Sequence, residues 1–480
     1  MTWETVMGLE VHVELATKSK IFCSCTTEFG GEANTHCCPI CTGMPGTLPV
    51  LNEKVLEFAL KAGIALNCDI TRYNKFDRKN YFYPDLPKAY QISQLYFPFA
   101  KNGKVEITTK SGEKKTIGIH EIHMEEDAGK LIHSPFGDAT YADYNRCGVP
   151  LIEIVSEPDF RGSDEVIAYL EQVKSTLEYL GVSDCKMQEG SMRADVNLSV
   201  RPVGSKEFGT RTEMKNINSF KAIEHAIEFE TKRQIELLES GGRVVQQTRR
   251  WDDNKSKSYA MRSKENAQDY RYFPEPDIPP ISVSEERLAA LKAEQPELAG
   301  PKKLRYIEQF GLSDYHASII TLNKNIARIF EQTAELCGEP KEVCNWIIGN
   351  AMYLINERSM ELGDVSLSPR VFAEFIKAIT SGKINKSVGK TLFEVIFDSD
   401  DSFDIDKYIA DNQLAVIDDD GAIYEVVQAI ISANPQSVEQ YKEGKTKVMA
   451  FFVGQCMRQL KGKANPDKVN KIIVEELAKQ

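Results

Sequence analysis

The sequence has no long hydrophobic run and no leader-like start, and both absences restrict where the protein works. No apolar stretch approaches the roughly 20 residues that a helix needs to cross a bilayer. The first residues, Met1-Thr2-Trp3-Glu4, lack the basic segment with which a signal peptide begins. The eleven cysteines are mostly scattered as singles, which is typical of a reducing compartment. We therefore expect a cytoplasmic protein without a membrane-bound segment.

The sequence also lacks the signatures of several common enzyme classes. It contains no Gly-x4-Gly-Lys-Ser/Thr loop and no protein-kinase motif set. No histidine is placed by sequence to activate Cys147, which we interpret as structural. The net charge of −12 argues against a protein that coats nucleic acid over its whole surface.

Four cysteines near the N-terminus form the most informative local pattern. They are spaced as Cys23-x-Cys25-x12-Cys38-x2-Cys41. Two close thiolate pairs joined by a loop favour one tetrahedral zinc ion in a closed structural site. Free buried thiols are the alternative, and Cys37 leaves open a ligand set shifted by one residue.

Polar side chains alternate with apolar ones along four segments, which indicates strands with one polar face. Like charges brought together on such a face need a cation or protons, and carboxylate oxygens suit magnesium. The imidazole prefers softer metals, so manganese is an alternative ion. The candidate ligands on this face are Glu10, His12, Glu125, Glu126, Glu153 and Asp195.

Basic residues interleaved with aromatics follow in the segment 76–88, which contains Arg78, Lys79 and Lys88. Cations beside a magnesium site indicate phosphate, so Arg78, Lys79 and the strand residue Arg193 are candidates for nucleotide binding.

The arrangement of helical and strand patterns predicts an α+β fold. Amphipathic helices are expected at 52–66, 163–180 and 218–240, with strands grouped between them in a largely antiparallel sheet. We predict a sheet domain at 1–292, a helical domain at 293–405 and a small helical tail domain at 406–480.

The charge is unevenly distributed near the C-terminus. Residues 398–420 hold nine aspartates, whereas residues 441–480 hold nine basic and four acidic residues. The aspartate run is interpreted as a hinge and the tail as an RNA-contacting module, although a solvated helical surface explains the charge equally well. The candidate RNA contacts are Lys445, Lys447, Arg458, Lys461, Lys463 and Lys468.

Several long segments resemble the B subunit of tRNA-dependent amidotransferases (GatB), and the resemblance runs along essentially the whole chain. The segments that carry it are 6–15, 77–85, 123–130, 151–159 and 269–277. It implies a cradle-shaped catalytic domain, a helical domain and a tail of the YqeY type. It also implies a ligase reaction in which ATP activates the side-chain carboxylate of glutamate or aspartate mischarged on tRNA(Gln) or tRNA(Asn), and ammonia then forms the amide.

The resemblance also implies partners and roles. Ammonia comes from glutamine hydrolysed in the amidase, or A, subunit, and the small C subunit completes a heterotrimer. Glu125 and Glu126 are then candidates for the place where ammonium loses its proton. Lys79 and Lys88 line the entrance or hold phosphate. The cysteines fit the zinc-bearing branch of the family.

Two other functions stay open on the sequence. One is a non-catalytic, zinc-stabilised scaffold that binds tRNA. The other is a metal-dependent hydrolase or nuclease that uses the same acidic face.

Overall fold

The computed structural model describes residues 2–263, 270–416, 420–442, 445, 448–460 and 464–479. The chain divides into two compact units, Met1–Leu298 and Ala299–Gln480. None of the helices in the described ranges is both long and apolar enough to cross a membrane. Of the residues named above, these lie outside the described residues: Met1, Asp269, Asp418, Asp419, Lys447, Lys461 and Lys463.

The first unit is built on a nine-stranded sheet in the order β14-β13-β12-β11-β1-β10-β7-β6-β2. Neighbouring strands are antiparallel except for the parallel pair β12 and β13. The strands of the unit are β1 (Trp3–Glu14), β2 (Asp69–Ile70), β3 (Tyr73–Asn74), β4 (Asp77–Asn80), β5 (Tyr90–Ser93), β6 (Ala100–Thr108), β7 (Lys114–Glu126), β8 (Lys130–His133), β9 (Thr140–Asp143), β10 (Pro150–Ser156), β11 (Met192–Pro202), β12 (Thr212–Lys215), β13 (Gln247–Asp252), β14 (Lys257–Ser263), β15 (Phe273–Pro274) and β16 (Ile281–Ser282). The prediction of an α+β fold with a largely antiparallel sheet is confirmed.

Three helices cover one face of this sheet: α1 (Glu53–Ala65), α2 (Ser163–Leu180) and α3 (Phe220–Glu239). Their starts follow local chemistry, because Asn52 and Ser219 accept hydrogen bonds from the first turns of α1 and α3. Gly181 ends α2 in the left-handed region. All three agree with the sequence prediction to within two residues, and helix α4 (Glu285–Ala293) closes the unit.

Strand β1 is a central strand of the sheet, and its side chains alternate between the two faces of the sheet. Met7, Leu9, Val11 and Val13 are buried in the core beneath the helices. The alternate residues of the same strand therefore point to the opposite, polar face. A central strand thus supplies both the core and the site.

The second unit is helical and contains two hydrophobic cores. Its helices are α5 (Ala299–Phe310), α6 (Asp314–Thr321), α7 (Lys324–Cys337), α8 (Pro340–Trp346), α9 (Met352–Glu357), α10 (Pro369–Thr380), α11 (Lys386–Ile396), α12 (Ile405–Asp411), α13 (Asp420–Ala433), α14 (Pro435–Lys442), α15 (Val448–Gln459) and α16 (Pro466–Leu477), with a π-helical turn at Ile347–Ala351 and a 3-10 turn at Leu362–Asp364. Ile405 and Ile409 belong to the first of these cores, and the second begins at Ile423. The domain limits given above remain predictions, but these contacts favour a later end for the helical domain.

Aspartates at the start of the aspartate-rich stretch contact residues of neighbouring elements. Asp398 pairs with Arg358 at 2.7 Å, and Asp406 pairs with Lys383 at 2.8 Å. Asp404 caps helix α12. Two of the five aspartates in 398–406 therefore have cationic partners on neighbouring elements, and the hinge remains a prediction.

Candidate functional site

The polar face of the sheet brings metal-ligand side chains into two groups. The register pairs Glu10 of β1 with Asp195 of β11, and His12 of β1 with Glu153 of β10. Directly opposed residues of antiparallel strands point to the same face. One strand therefore supplies a ligand to each group, two residues apart.

The first group consists of His12, Glu125 and Glu153, whose potential ligand atoms lie within 4.8 Å of one another. His12 Nε2 is 3.5 Å from Glu153 Oε2 and 3.7 Å from Glu125 Oε1. The same oxygen of Glu153 lies 2.7 Å from His123 Nε2. Ser93 donates a hydrogen bond to Glu125 at 3.2 Å. One imidazole nitrogen and two carboxylates fit a divalent ion such as manganese.

The second group consists of Glu10, Asp195 and Glu213, again within 4.8 Å. Asn197 orients Glu10 through a 3.0 Å hydrogen bond. Lys215 contacts Asp195 at 2.6 Å and Glu213 at 3.2 Å. An all-oxygen ligand set fits magnesium better than the first group does.

The charges of the first group are strongly coupled. Burial disfavours the imidazolium, but Glu153 and then Glu125 outweigh it and raise the pKa of His12 to about 9. Burial also opposes ionisation of Glu153, yet His123 and His12 hold the pKa of that carboxyl well below its usual range. In the second group, burial and then Glu153 raise the pKa of Glu10. This face is therefore built to accept positive charge.

Lys79 faces the first group. Burial disfavours its ammonium, but the Glu125 carboxylate outweighs this and raises the pKa of Lys79. The ammonium lies 5.3 Å from the ring centre of Tyr270. Lys79 is thus a cation beside the carboxylates of the first group, in a position to bind an anionic group of the substrate.

Glu126 does not join either ligand group. It follows Glu125 directly, so strand alternation turns it to the other side. There it pairs with Lys88 and accepts a 2.9 Å hydrogen bond from the Ile92 amide. The structure therefore separates two glutamates that the sequence pattern placed in one magnesium site.

The two arginines proposed for nucleotide binding are occupied by carboxylates. Arg78 binds Glu275 through two nitrogens, at 2.6 and 3.1 Å, and Asp277 at 3.0 Å. Arg193 binds Asp127 at 2.8 Å, although its Nε is buried without a partner. Arg78 is therefore better suited to hold 275–277 than to bind phosphate.

A cavity of about 550 Å³ lies on the polar face beside Glu10. The exposed aromatic ring of Phe208 lines it, with the Arg201 guanidinium 5.6 Å from the ring centre. Polar groups from four segments complete the wall. They are Ser156, Asn197, Ser199, Thr210, Arg211 and Gln246.

The four predicted cysteines come together in loops of the same unit. Cys23, Cys25, Cys38 and Cys41 place their sulfurs within 4.8 Å of one another. The Cys38 amide donates to Cys41 Sγ at 3.2 Å, a contact typical of a metal-binding knuckle. The donor set fits one structural zinc ion.

The thiols of this group differ in acidity because they share hydrogen bonds. The bond from Cys23 is the largest contribution that lowers the pKa of Cys41, to about 4, and the same bond raises the pKa of Cys23. Cys37 instead contacts the carbonyl oxygen of Asn34 at 3.3 Å. This geometry supports Cys38 rather than Cys37 as the ligand. Cys147 is buried and bonds to the Cys41 carbonyl oxygen at 3.3 Å, in agreement with a structural role.

Glu213, Lys215 and His123 were missed as site residues. His123 lies two residues before Glu125 on the same strand, so alternation alone identifies its face. Glu213 and Lys215 alternate with the buried Met214, but strand β12 is only four residues long. A four-residue alternation is too short to separate a site strand from a loop.

Comparison with known proteins agrees with this architecture. The family described as the GatB/GatE catalytic domain matches residues 5–289, and the GatB domain with a YqeY-type fold matches residues 328–477. The B subunit of the aspartyl/glutamyl-tRNA(Asn/Gln) amidotransferase of Lachnoclostridium phytofermentans is 62% identical over 477 residues, covering 99% of each chain. The proteins of that name from Agathobacter rectalis and Caldicellulosiruptor bescii are 59% and 55% identical, covering 99% and 100% of each chain.

Proposed function

Because this chain belongs to the GatB/GatE family of amidotransferase subunits, we propose that it converts Glu-tRNA(Gln), Asp-tRNA(Asn) or both to the amidated aminoacyl-tRNA. It is then a carbon–nitrogen ligase that works with partner subunits. In the first step, the side-chain carboxylate attacks the γ-phosphorus of ATP, and ADP leaves. In the second, ammonia attacks the acyl phosphate and phosphate leaves.

The observation that carries this proposal is the pair of ligand groups supplied by Glu10 and His12. The two groups of acidic donors lie beside each other, and Glu10 of the second group lines a cavity of about 550 Å³. This arrangement suits a nucleotide whose phosphates lie along the carboxylates. The exposed face of Phe208 is suited to stack on the adenine. The phosphate end then lies toward Glu10.

Magnesium or manganese fits these donors better than zinc does, because most of the ligand atoms are carboxylate oxygens. His12, Glu125 and Glu153 would hold one ion, and Glu10, Asp195 and Glu213 a second. A bound divalent ion offsets the charge that builds up on the transferring phosphoryl group. The residues themselves orient the ATP, and Lys79 holds the carboxylate or the phosphate opposite Glu125.

Lys88 and Glu126 support a separate place for ammonia. Burial disfavours the Lys88 ammonium, but Glu126 outweighs it and raises its pKa. Both side chains line a cavity of about 70 Å³, large enough for small molecules only. We propose that ammonium passes this pair and that Glu126 or Glu125 accepts its proton, since only neutral ammonia attacks the carbonyl carbon.

The four-cysteine group has a structural role in this proposal. A closed shell of four sulfurs leaves no position for a substrate. We propose that it holds zinc and fixes the loops between β1 and α1. The amidase (A) subunit would supply ammonia and the small C subunit would complete the complex, and the protein would act in the cytoplasm.

The direct test is ADP release by the assembled complex. ATP, glutamine and mischarged tRNA should give ADP and amidated tRNA, whereas uncharged tRNA should give neither. ADP release that is independent of the mischarged tRNA would contradict the proposal. If the chain is only a scaffold, the complex that carries both Glu10→Gln and His12→Ala should keep its normal amidation activity. If the chain is a nuclease, it should degrade the RNA without ATP.

The tail is proposed to contact tRNA. Arg458 is exposed on α15, whereas Lys468 is paired with Asp420 at 2.5 Å. Of the other four candidates, only Lys445 lies within the described residues. Since the helical core extends to Leu414, truncation after Val416 is a cleaner test than truncation at 405.

The truncated chain should keep ATP and metal binding but bind tRNA more weakly. Its tRNA affinity should also depend less steeply on salt, because phosphate contacts release counterions. A lower melting temperature with unchanged tRNA affinity in the assembled complex would make the tail purely structural.

A further inference from the structure

Lys20 is a fully buried lysine next to the four-cysteine group. Its side chain is 0% exposed. Its ammonium lies 3.7 Å from Cys41 Sγ and 3.5 Å from the carbonyl oxygen of Tyr144. Within the ranges that the structure describes, no carboxylate lies within ion-pairing distance of this ammonium. Glu126 lines the same small cavity but is paired with Lys88.

A buried ammonium without a carboxylate needs another source of negative charge. Transfer of an isolated ammonium into a protein interior is strongly unfavourable, so such groups are almost always paired. One carbonyl oxygen supplies a dipole but not a charge. The sulfur of Cys41 is the remaining partner, and it carries a charge only as a thiolate.

A metal-loaded cysteine group provides this charge. Four thiolates around one divalent ion keep two negative charges. We propose that Lys20 is the charge-balancing partner of this site, and that it donates an N–H to the Cys41 sulfur and so raises the affinity for zinc. It is a positioning residue and does not bind the ion.

The backbone around Lys20 places the ammonium with little freedom. The Lys20 amide donates to the carbonyl oxygen of Cys25 at 3.0 Å. Lys20 therefore contacts the first cysteine pair through its backbone and the second pair through its side chain. Gly148 packs against both residues, since a Cβ there would lie 3.4 Å from Cys41 Cβ and 3.5 Å from Lys20 Cδ. These contacts hold the amine at the Cys41 sulfur.

This inference rests on the zinc site of the proposed function and adds a residue to it. The sequence pattern of the cysteines gives no sign of Lys20, which precedes Cys23 by three residues and lies between Ser19 and Ile21. Only the fold turns its side chain inward to the second cysteine pair.

The test is zinc affinity of the full-length chain, measured by competition with a chromophoric chelator. Lys20→Met removes the charge and keeps most of the volume. It should weaken zinc binding by about 10- to 100-fold, the usual cost of losing a partner of a metal ligand. Lys20→Arg should retain most of the affinity. Lys18→Met is the matched control, because Lys18 is exposed two residues away.

A second measurement separates charge balance from packing. Melting temperatures of wild type and Lys20→Met are compared with zinc bound and after its removal by a chelator. The substitution should destabilise the zinc-bound protein more than the zinc-free protein, because only the former holds two negative charges beside residue 20. If Lys20→Met does not fold, the comparison of Lys20→Arg with Lys20→Gln decides, since both donate hydrogen bonds and only arginine is charged.

The inference would be overturned if Lys20→Met or Lys20→Gln bound zinc with the same affinity as Lys18→Met. An equal loss of melting temperature with and without zinc would also overturn it and make Lys20 a packing residue. Wild-type protein that binds no zinc would refute the metal site itself, and this inference with it. These outcomes are distinguishable because wild-type zinc content is measured first.

Discussion

The four-cysteine group takes its ligands from a short loop region, whereas the two carboxylate groups take theirs from strands far apart in the chain. All four cysteines lie between Cys23 and Cys41. The first carboxylate group joins His12 to Glu125 and Glu153, and these meet only because β1, β10 and β7 are neighbours. A loop site is specified by local spacing, but a sheet site is specified by strand order and register.

The two regions also differ in what surrounds them. The thiolates have the buried cation of Lys20 at Cys41 and lie against a cavity of only about 70 Å³. Glu10 of the second carboxylate group lines a cavity of about 550 Å³, and the carboxylates are bordered by Lys79 and Lys215. This contrast supports a structural role for the first region and a catalytic role for the second, and the following variants test it in order of expected effect.

The largest effect is expected for Glu125→Gln. It removes a ligand charge but keeps the shape, so tRNA-dependent ADP formation should fall by about two to three orders of magnitude. The fold and the zinc content should not change. Glu106→Gln, on an exposed position of β6, is the control. An activity within about twofold of wild type would show that Glu125 is not a catalytic residue, because the loss of a catalytic group reduces activity by more than this.

The second test is the pH dependence of Mn2+ binding, measured by electron paramagnetic resonance. His12 has a pKa of about 9 without metal, so at neutral pH an incoming ion must displace its proton. Affinity should therefore rise about tenfold per pH unit and level off above about pH 9. His12→Gln should flatten this profile. A pH-independent affinity in wild type would show that His12 is not a ligand.

Glu213→Gln tests the second group alone. It should remove one Mn2+ from the count of tightly bound ions and reduce activity by about tenfold, because one of three carboxylates is lost. Glu228→Gln on the exposed side of α3 is the control. An unchanged ion count would show that Glu213 is not a metal ligand.

The smallest effect on chemistry is expected for Cys41→Ser. Zinc content should fall, and the melting temperature should drop on the order of 5 °C, since a structural metal contributes to folding. The pH profile of Mn2+ binding should stay that of wild type. Cys37→Ser is the matched control and should keep its zinc. Loss of zinc in Cys37→Ser as well as in Cys41→Ser would replace Cys38 by Cys37 in the ligand set.

Part of the site was predictable because alternation along a strand is a local property. Glu10 and His12 could be assigned to one face from β1 alone, and Asp195 from β11 alone. Whether these faces coincide depends on the order of strands in the sheet. The sequence prediction therefore merged two ligand groups into one, and it included Glu126, which the end of β7 turns toward Lys88.

The sequence by itself determined the α+β class, the bounds of α1, α2 and α3 to within two residues, and the spacing that groups the four cysteines, because caps, periodicity and close spacing act over a few residues. Only the tertiary structure decided that Glu213 completes the second group, that Arg78 is bound to Glu275, and that Lys20 reaches Cys41. These contacts join residues far apart in the chain or across a loop. Their partners are chosen by register and packing, which no local pattern encodes.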